Sequence, residues 1–326
     1  MTRKLIGLGL FLAGFALGVL FWGRYDEQTQ GIEIRAKGDL TSPLLECESD
    51  SVKIRFLYGD FWEKIRPVIQ REQQAPGILK VSVYFRDLLS GPSFGENLGE
   101  EFSPASLLKV PLMMAYLRWS VEEPALLERK IRFKSGFLSL YQNVPPEKRI
   151  KAGESYTIDQ LIRQMIEYSD NDAANILFEN IDRQRLTKAY TDIGLAVPDS
   201  AKGEDFMTVR EYASFFRMLF NSSFLPQEKS EAGLRYLLGS RFKEGLVAGL
   251  PENIKVAHKF GERILNTPAG PQLQLHDCGI IYHPQRPFLM CIMTRGQLFK
   301  QQAGVIKRIT QAAYEGLDAR IAIAPK

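Results

Sequence analysis

From Ser106 to Leu117 the chain reads Ser-Leu-Leu-Lys-Val-Pro-Leu-Met-Met-Ala-Tyr-Leu, and Lys109 is its only charge. A helix that is apolar on every side has to lie inside a protein. The run therefore demands a core large enough to surround it. It also puts a lysine where an ammonium is costly unless it is paired or loses its proton. Burial is expected to depress the Lys109 pKa and leave a usable base. Ser106 lies three residues earlier, on the same helical face. At the first turn its hydroxyl sits among unpaired backbone N–H groups and the positive end of the helix dipole, which favour a developing oxyanion. Ser106 is thus a candidate nucleophile with a base beside it. Taken alone, a Ser-x-x-Lys quartet is more often a helix cap followed by a surface lysine.

The rest of the chain can supply that core. It has 326 residues, 45% of them hydrophobic and 25% charged, an ordinary globular balance. The net charge of +4 is too mild to argue for nucleic acid, and no basic run carries interleaved aromatics. His258, His276 and His283 lack metal-ligand spacing, so neither metal nor cofactor is expected. Cys47, Cys278 and Cys291 allow one disulfide at most. Cys278 and Cys291 fall in what read as neighbouring strands, and free buried thiols are the preferred reading.

Residues Leu5 to Trp22 form an apolar run preceded by Arg3 and Lys4. That length and charge order predict a single membrane span with the N-terminus inside. The bulky Phe21-Trp22-Gly23-Arg24 flank argues against signal cleavage. The expected organisation is an anchor over residues 1–24, a polar stalk over 25–50 and a catalytic domain over 51–320, outside the cytoplasm at the cell membrane.

Within the domain, Asp60 to Gln73 reads as a helix with Pro67 as a kink, and Lys80 to Arg86 alternates as a half-buried strand. Thr157 with Gln160 and Thr208 with Glu211 make capping boxes, each opening an amphipathic helix. Asp182 to Gly194 reads as another helix. Asp172 is a candidate cap for the helix through Ala173, Ala174, Ile176 and Leu177. Ile254 to Phe260, Leu273 to Tyr282 and Pro287 to Thr294 read as strands, followed by a helix over Ala303 to Leu317. The order predicts an α/β (α+β) fold: an antiparallel sheet flanked by N- and C-terminal helices, with an all-helical subdomain inserted between.

Three motifs follow one another: Ser106-x-x-Lys109, Ser169-Asp170-Asn171 and Lys259-Phe260-Gly261. The trio resembles the S-x-x-K, S-D-N and K-T-G set of class A β-lactamases and penicillin-binding proteins. Val83-Tyr84-Phe85-Arg86-Asp87-Leu88, Pro111 and His276-Asp277-x-Gly279-Ile280-Ile281-Tyr282 also look like that superfamily. The likeness spans about residues 40 to 320. It implies an acyl-enzyme formed on Ser106, with Lys109 as base and Ser169 passing a proton to the leaving nitrogen. It further implies that Asn171 contacts the substrate amide and Lys109, and that Lys259, on the strand edge across the cleft with Phe260 and Gly261, holds positive charge near the substrate carboxylate. The backbone N–H groups of Ser106 and Glu262 would form the oxyanion hole. The implied substrates are β-lactams or D-alanyl peptides of peptidoglycan. A non-catalytic wall-binding module that keeps the fold is the alternative from another class.

Two departures bear on the chemistry. Phe260 stands where the family has a small hydroxyl residue for the substrate carboxylate; a phenyl ring either crowds the cleft or turns into the core. Arg263, in a strand-to-loop passage, is either a substitute carboxylate ligand or a solvated side chain. Between Asn180 and Met207 no Glu-x-x-Leu-Asn pattern occurs, and Glu204 is out of register with the family's deacylating glutamate. Slow deacylation is expected.

Overall fold

The computed structural model describes residues 39–42, 58, 60–89, 92–135, 142–198, 203–268 and 270–323. These residues belong to one compact unit. Among them no helix is long and apolar enough to cross a membrane. The span expected over residues 5–22, Cys47 and most of the stalk lie outside the described residues.

The architecture is a five-stranded antiparallel sheet with helices on both faces. Its strands are β1 (Ile78–Asp87), β2 (Ser93–Glu96), β7 (Val256–Thr267), β8 (Gly270–Ile281) and β9 (Phe288–Gly296), in the order β2-β1-β9-β8-β7. Short β3 (Glu101–Phe102) pairs with β6 (Met207–Thr208), and β4 (Lys130–Arg132) with β5 (Ser155–Thr157). On one face α1 (Phe61–Gln73) and α8 (Phe299–Ile323) pack over Val83, Phe85, Met290 and Ile292. The other face, through Tyr84, Leu289, Cys291 and Met293, meets the inserted helical half. This half comprises α2 (Lys109–Glu122), α3 (Ile158–Glu167), α4 (Asn171–Glu179), α5 (Arg183–Thr191), α6 (Val209–Asn221) and α7 (Gln227–Leu238).

Two layers of helix explain why β1 is not half-buried. Residues Val81 to Phe85 are all buried, because the partners of alternate side chains are helices on opposite faces. The same burial corrects the cysteines. Cys278 and Cys291 face each other across β8 and β9 and are joined by a disulfide. Sequence spacing cannot reveal that two thiols share both a register and a face.

The apolar run forms the heart of the helical half. Val110 to Leu117 are all buried on α2. A 3-10 helix over Ala105–Leu108 leads into it. Pro111 has no N–H to offer the Leu107 carbonyl, four residues back. The Tyr212 hydroxyl, from α6, donates to that carbonyl instead at 3.0 Å.

Both capping boxes form, at Thr157–Gln160 and Thr208–Glu211. The cap of α4 is Asp170 rather than Asp172: its Oδ1 accepts from the Asp172 and Ala173 N–H groups. Helix α1 runs on through Pro67. β7 is longer than its apolar residues imply, because it pairs with β8 in a hairpin out to Thr267 and Gly270. Gly270 supplies the positive φ of +104° there.

Candidate active site

Ser106 stands half-buried in the 3-10 helix. β8 fixes its approach through Ser103: Ser103 N–H donates to Gln274 Oε1 at 2.9 Å, and Ser103 O accepts from His276 Nε2 at 2.9 Å. Burial pulls the His276 pKa down to about 4, so the ring is neutral. Its Nε2 carries the proton, because a carbonyl can only accept, and Nδ1 accepts from Thr294 N–H. Ala105, immediately before Ser106, is held at a φ of +49°, a left-handed conformation strained for any side chain. Ser169, in the second motif, has a φ of +57°. Ala105 and Ser169 are two of four non-glycine residues with positive φ among the described residues, and each lies in or beside a hydroxyl-bearing motif.

Lys109 opens α2 and is 6% exposed. Its Nζ donates to Ser169 O at 2.7 Å and to Asn171 Oδ1 at 2.8 Å, and lies 3.1 Å from Ser169 Oγ. Burial pulls its pKa down to about 7, against an opposing pull from the Asp170 charge. A neutral amine has two protons and one lone pair. The carbonyl and the amide oxygen claim the protons, so the lone pair is left for a hydroxyl.

Lys259 is fully buried on β7. Its Nζ donates to Ser169 Oγ at 3.0 Å and to Phe260 O at 2.9 Å. Burial lowers its pKa well below the ordinary lysine value, and the neighbouring Lys109 lowers it further. Ser169 Oγ is therefore the node between the two lysines: it accepts from Lys259 and can donate to neutral Lys109.

Gly261 is required by close approach. A Cβ there would lie 2.8 Å from Pro104 O and 3.0 Å from Leu107 N. β7 is the edge strand of the sheet, and at Gly261 its backbone presses on the 3-10 helix that carries Ser106. Glu262 follows, and its backbone is the candidate second oxyanion donor.

The Phe260 ring does not project into an open cleft. It is 4% exposed, stacked on Phe242 at 4.3 Å between centroids, with Lys259 Nζ 4.2 Å from its own centroid. Arg263 lies within β7, opposite Gln274, rather than in a passage to a loop. Its Nε donates to Glu204 at 2.8 Å, so both groups are engaged with each other. Among the described residues no group of His, Cys, Asp and Glu could hold a metal ion.

Three motifs separated by up to 150 positions thus converge on one hydrogen-bonded cluster around Ser169. The sequence profile of the beta-lactamase enzyme family matches residues 60–317. The chain belongs to that family.

Its relatives agree. A Bacillus amyloliquefaciens beta-lactamase is 26% identical over 66% of this chain and 72% of its own length. The carbapenem-hydrolyzing beta-lactamase KPC of Klebsiella oxytoca is 24% identical over 77% of this chain and 88% of its own. Among solved structures, PBP-A superposes with a TM-score of 0.66 at 18% identity, covering 79% of this chain and 96% of PBP-A. The Mycobacterium abscessus class A beta-lactamase gives 0.63 at 21% identity, covering 77% and 98%. Both share the fold. At family level the chain is a serine beta-lactamase-like hydrolase.

Sequence reasoning missed three contributors. Gln274 and His276 hold Ser103, and the Glu262 carboxylate accepts from Asn143 and Val144. Their signal is tertiary: each acts across a distance in sequence of more than 100 residues.

Proposed function

We propose that the chain is an acyl-transferring serine hydrolase that acts on amide carbonyls, either those of strained β-lactams or those of D-alanyl peptides. Neutral Lys109 takes the Ser106 hydroxyl proton as Oγ attacks the carbonyl carbon. The carbonyl π electrons move to oxygen, and the backbone N–H groups of Ser106 and Glu262 stabilise that oxyanion. On collapse the C–N bond breaks. Ser169 gives its proton to the leaving nitrogen and regains one from the Lys109 ammonium. Lys259 supports the developing charge on Ser169, and Asn171 orients both Lys109 and the substrate amide.

The observation that carries this reading is the double hydrogen bonding of Ser169 Oγ to Lys109 and Lys259, with Asn171 on the same Lys109 amine. A wall-binding module has no need of two desolvated lysines on one hydroxyl. The acyl-enzyme with penicillin G known for a PBP-A variant is consistent with it.

Deacylation is the slow step in this proposal. Lys109 donates its hydrogen bonds to Ser169 and Asn171, and Glu204 is held by Arg263. General-base assistance is typically worth about 10²–10⁴ in rate. A chromogenic cephalosporin should give a burst of one equivalent followed by slow turnover, and intact-mass spectrometry should find the adduct on Ser106. An adduct of equal yield in Ser106→Ala would refute the nucleophile, and fast turnover without a burst would refute slow deacylation. We further propose that residues 5–22 anchor the domain at the extracytoplasmic side of a membrane, on the strength of their hydropathy and flanking charges. Recovery of the native protein in the soluble fraction after cell lysis would count against this.

A further inference from the structure

The chemistry above uses only the backbone of Glu262, yet its carboxylate is engaged across the cleft. Oε2 accepts from Asn143 N–H at 3.1 Å and from Asn143 Nδ2 at 2.7 Å, and Oε1 accepts from Val144 N–H at 3.0 Å. The opposite end of that stretch is also tied. Ile150 N–H donates to Asp170 Oδ2 at 2.9 Å. Residues 142–150 therefore leave the β7 wall, which holds Lys259 and Gly261, and end on the turn that holds Ser169 and Asn171. Between the two anchors, Val144, Pro145 and Pro146 line a cavity of about 230 Å³ whose other walls carry both charges, among them Glu244, Arg241 and Lys243. The two prolines stiffen the strap and have no N–H of their own. Three donors on one ionised acceptor make the Glu262 end a strong attachment.

We infer that Glu262 is a specificity-determining residue: its side chain clasps residues 142–150 across the cleft and sets a carboxylate where the acyl donor enters. This rests on the acyl-transfer reading of the same site. A donor with an anionic group on the β7 side meets the Glu262 charge. It must also displace the clasp. A neutral donor meets no such repulsion, so the Glu262 charge narrows the site's preference for a carboxylate-bearing donor over its uncharged ester.

The test uses the full chain, with Glu262→Ala and Glu262→Gln. Glu262→Gln removes the charge and retains an acceptor oxygen, which guards against a variant that merely unfolds. The probes are benzylpenicillin and its uncharged methyl ester. Acylation rates are read by intact mass, affinities for the same pair by calorimetry in a Ser106→Ala background, and strap protection by hydrogen exchange. In Glu262→Ala the Asn143 and Val144 amides should exchange about tenfold faster, given the strength of bonds to an ionised acceptor. The penicillin-to-ester ratio, in rate and in affinity, should rise about tenfold in Glu262→Ala and about threefold or more in Glu262→Gln. An unchanged ratio would overturn the proposal even if exchange accelerated, as would unchanged exchange. If no protein forms an adduct with either probe, the acyl-transfer reading falls. The clasp is then still decided by the exchange rates and the calorimetric ratio.

Discussion

Lys109 is the residue on which the chemistry turns, and its burial sets a definite pH dependence. Desolvation lowers its pKa to about 7, so the base form grows as pH rises through 7. The acylation rate constant should be half-maximal near pH 7 and fall about tenfold per unit well below it. A stopped-flow pH profile checks this, and a flat profile from pH 5 to 9 would exclude Lys109 as base. Lys109→Arg keeps the charge but has no accessible neutral form, and should lose about 10²-fold or more in acylation while staying folded. Gly261 is equally exposed to test. A methyl group 2.8 Å from Pro104 O must push β7 away from the 3-10 helix. Gly261→Ala should lower acylation at least about tenfold, since such misplacement of reacting groups is costly. Its Tm should move by no more than a few degrees, and wild-type acylation in this variant would show that the approach is not needed.

Among the elements, β7 divides its side chains between two tasks. Lys259 faces the site, while Phe260 packs on Phe242 in the layer beneath α1 and α8. Phe260→Thr removes most of a buried ring, so it should cost about 2–4 kcal/mol in urea unfolding, whereas Phe260→Leu should cost roughly half as much. Equal stability of both variants with wild type would mean that the ring is not part of that core. α6 depends on its start. The Thr208 hydroxyl accepts from Glu211 N–H and donates to Glu211 Oε2. Its neighbour Tyr212 reaches back to Leu107 O, beside the nucleophile. Fraying α6 therefore loosens the helix that carries Ser106.

The molecule as a whole is a sheet clad on both faces, and the Cys278–Cys291 bond ties two of its central strands. The bond closes a short loop, with a sequence separation of 13, for which chain entropy gives about 2–3 kcal/mol. The double variant Cys278→Ala/Cys291→Ala should lose about that much stability in denaturant melts while keeping the same sheet. Because both sulfurs are buried, a mild reductant should leave the folded domain oxidised and lower the melt only by reducing the protein once it has unfolded. Rapid reduction of the folded domain would show that the strands open in the native state.

What the sequence determined by itself was local or periodic. The uniformly apolar run required a buried helix, the capping boxes marked where α3 and α6 begin, and the ordered trio of motifs named Ser106, Lys109, Ser169, Asn171 and Lys259. Each of these is written within a few residues, where hydrogen-bond geometry and side-chain spacing leave little choice. Tertiary structure decided the rest. It turned the Phe260 ring into the core, paired Arg263 with Glu204, joined two cysteines that spacing alone left free, and gave the Glu262 carboxylate its partners in Asn143 and Val144. Those outcomes depend on strand register and on which face a side chain takes. A shift of one residue in pairing would reverse every one of them, and only the packing of helices on both faces of the sheet holds that register.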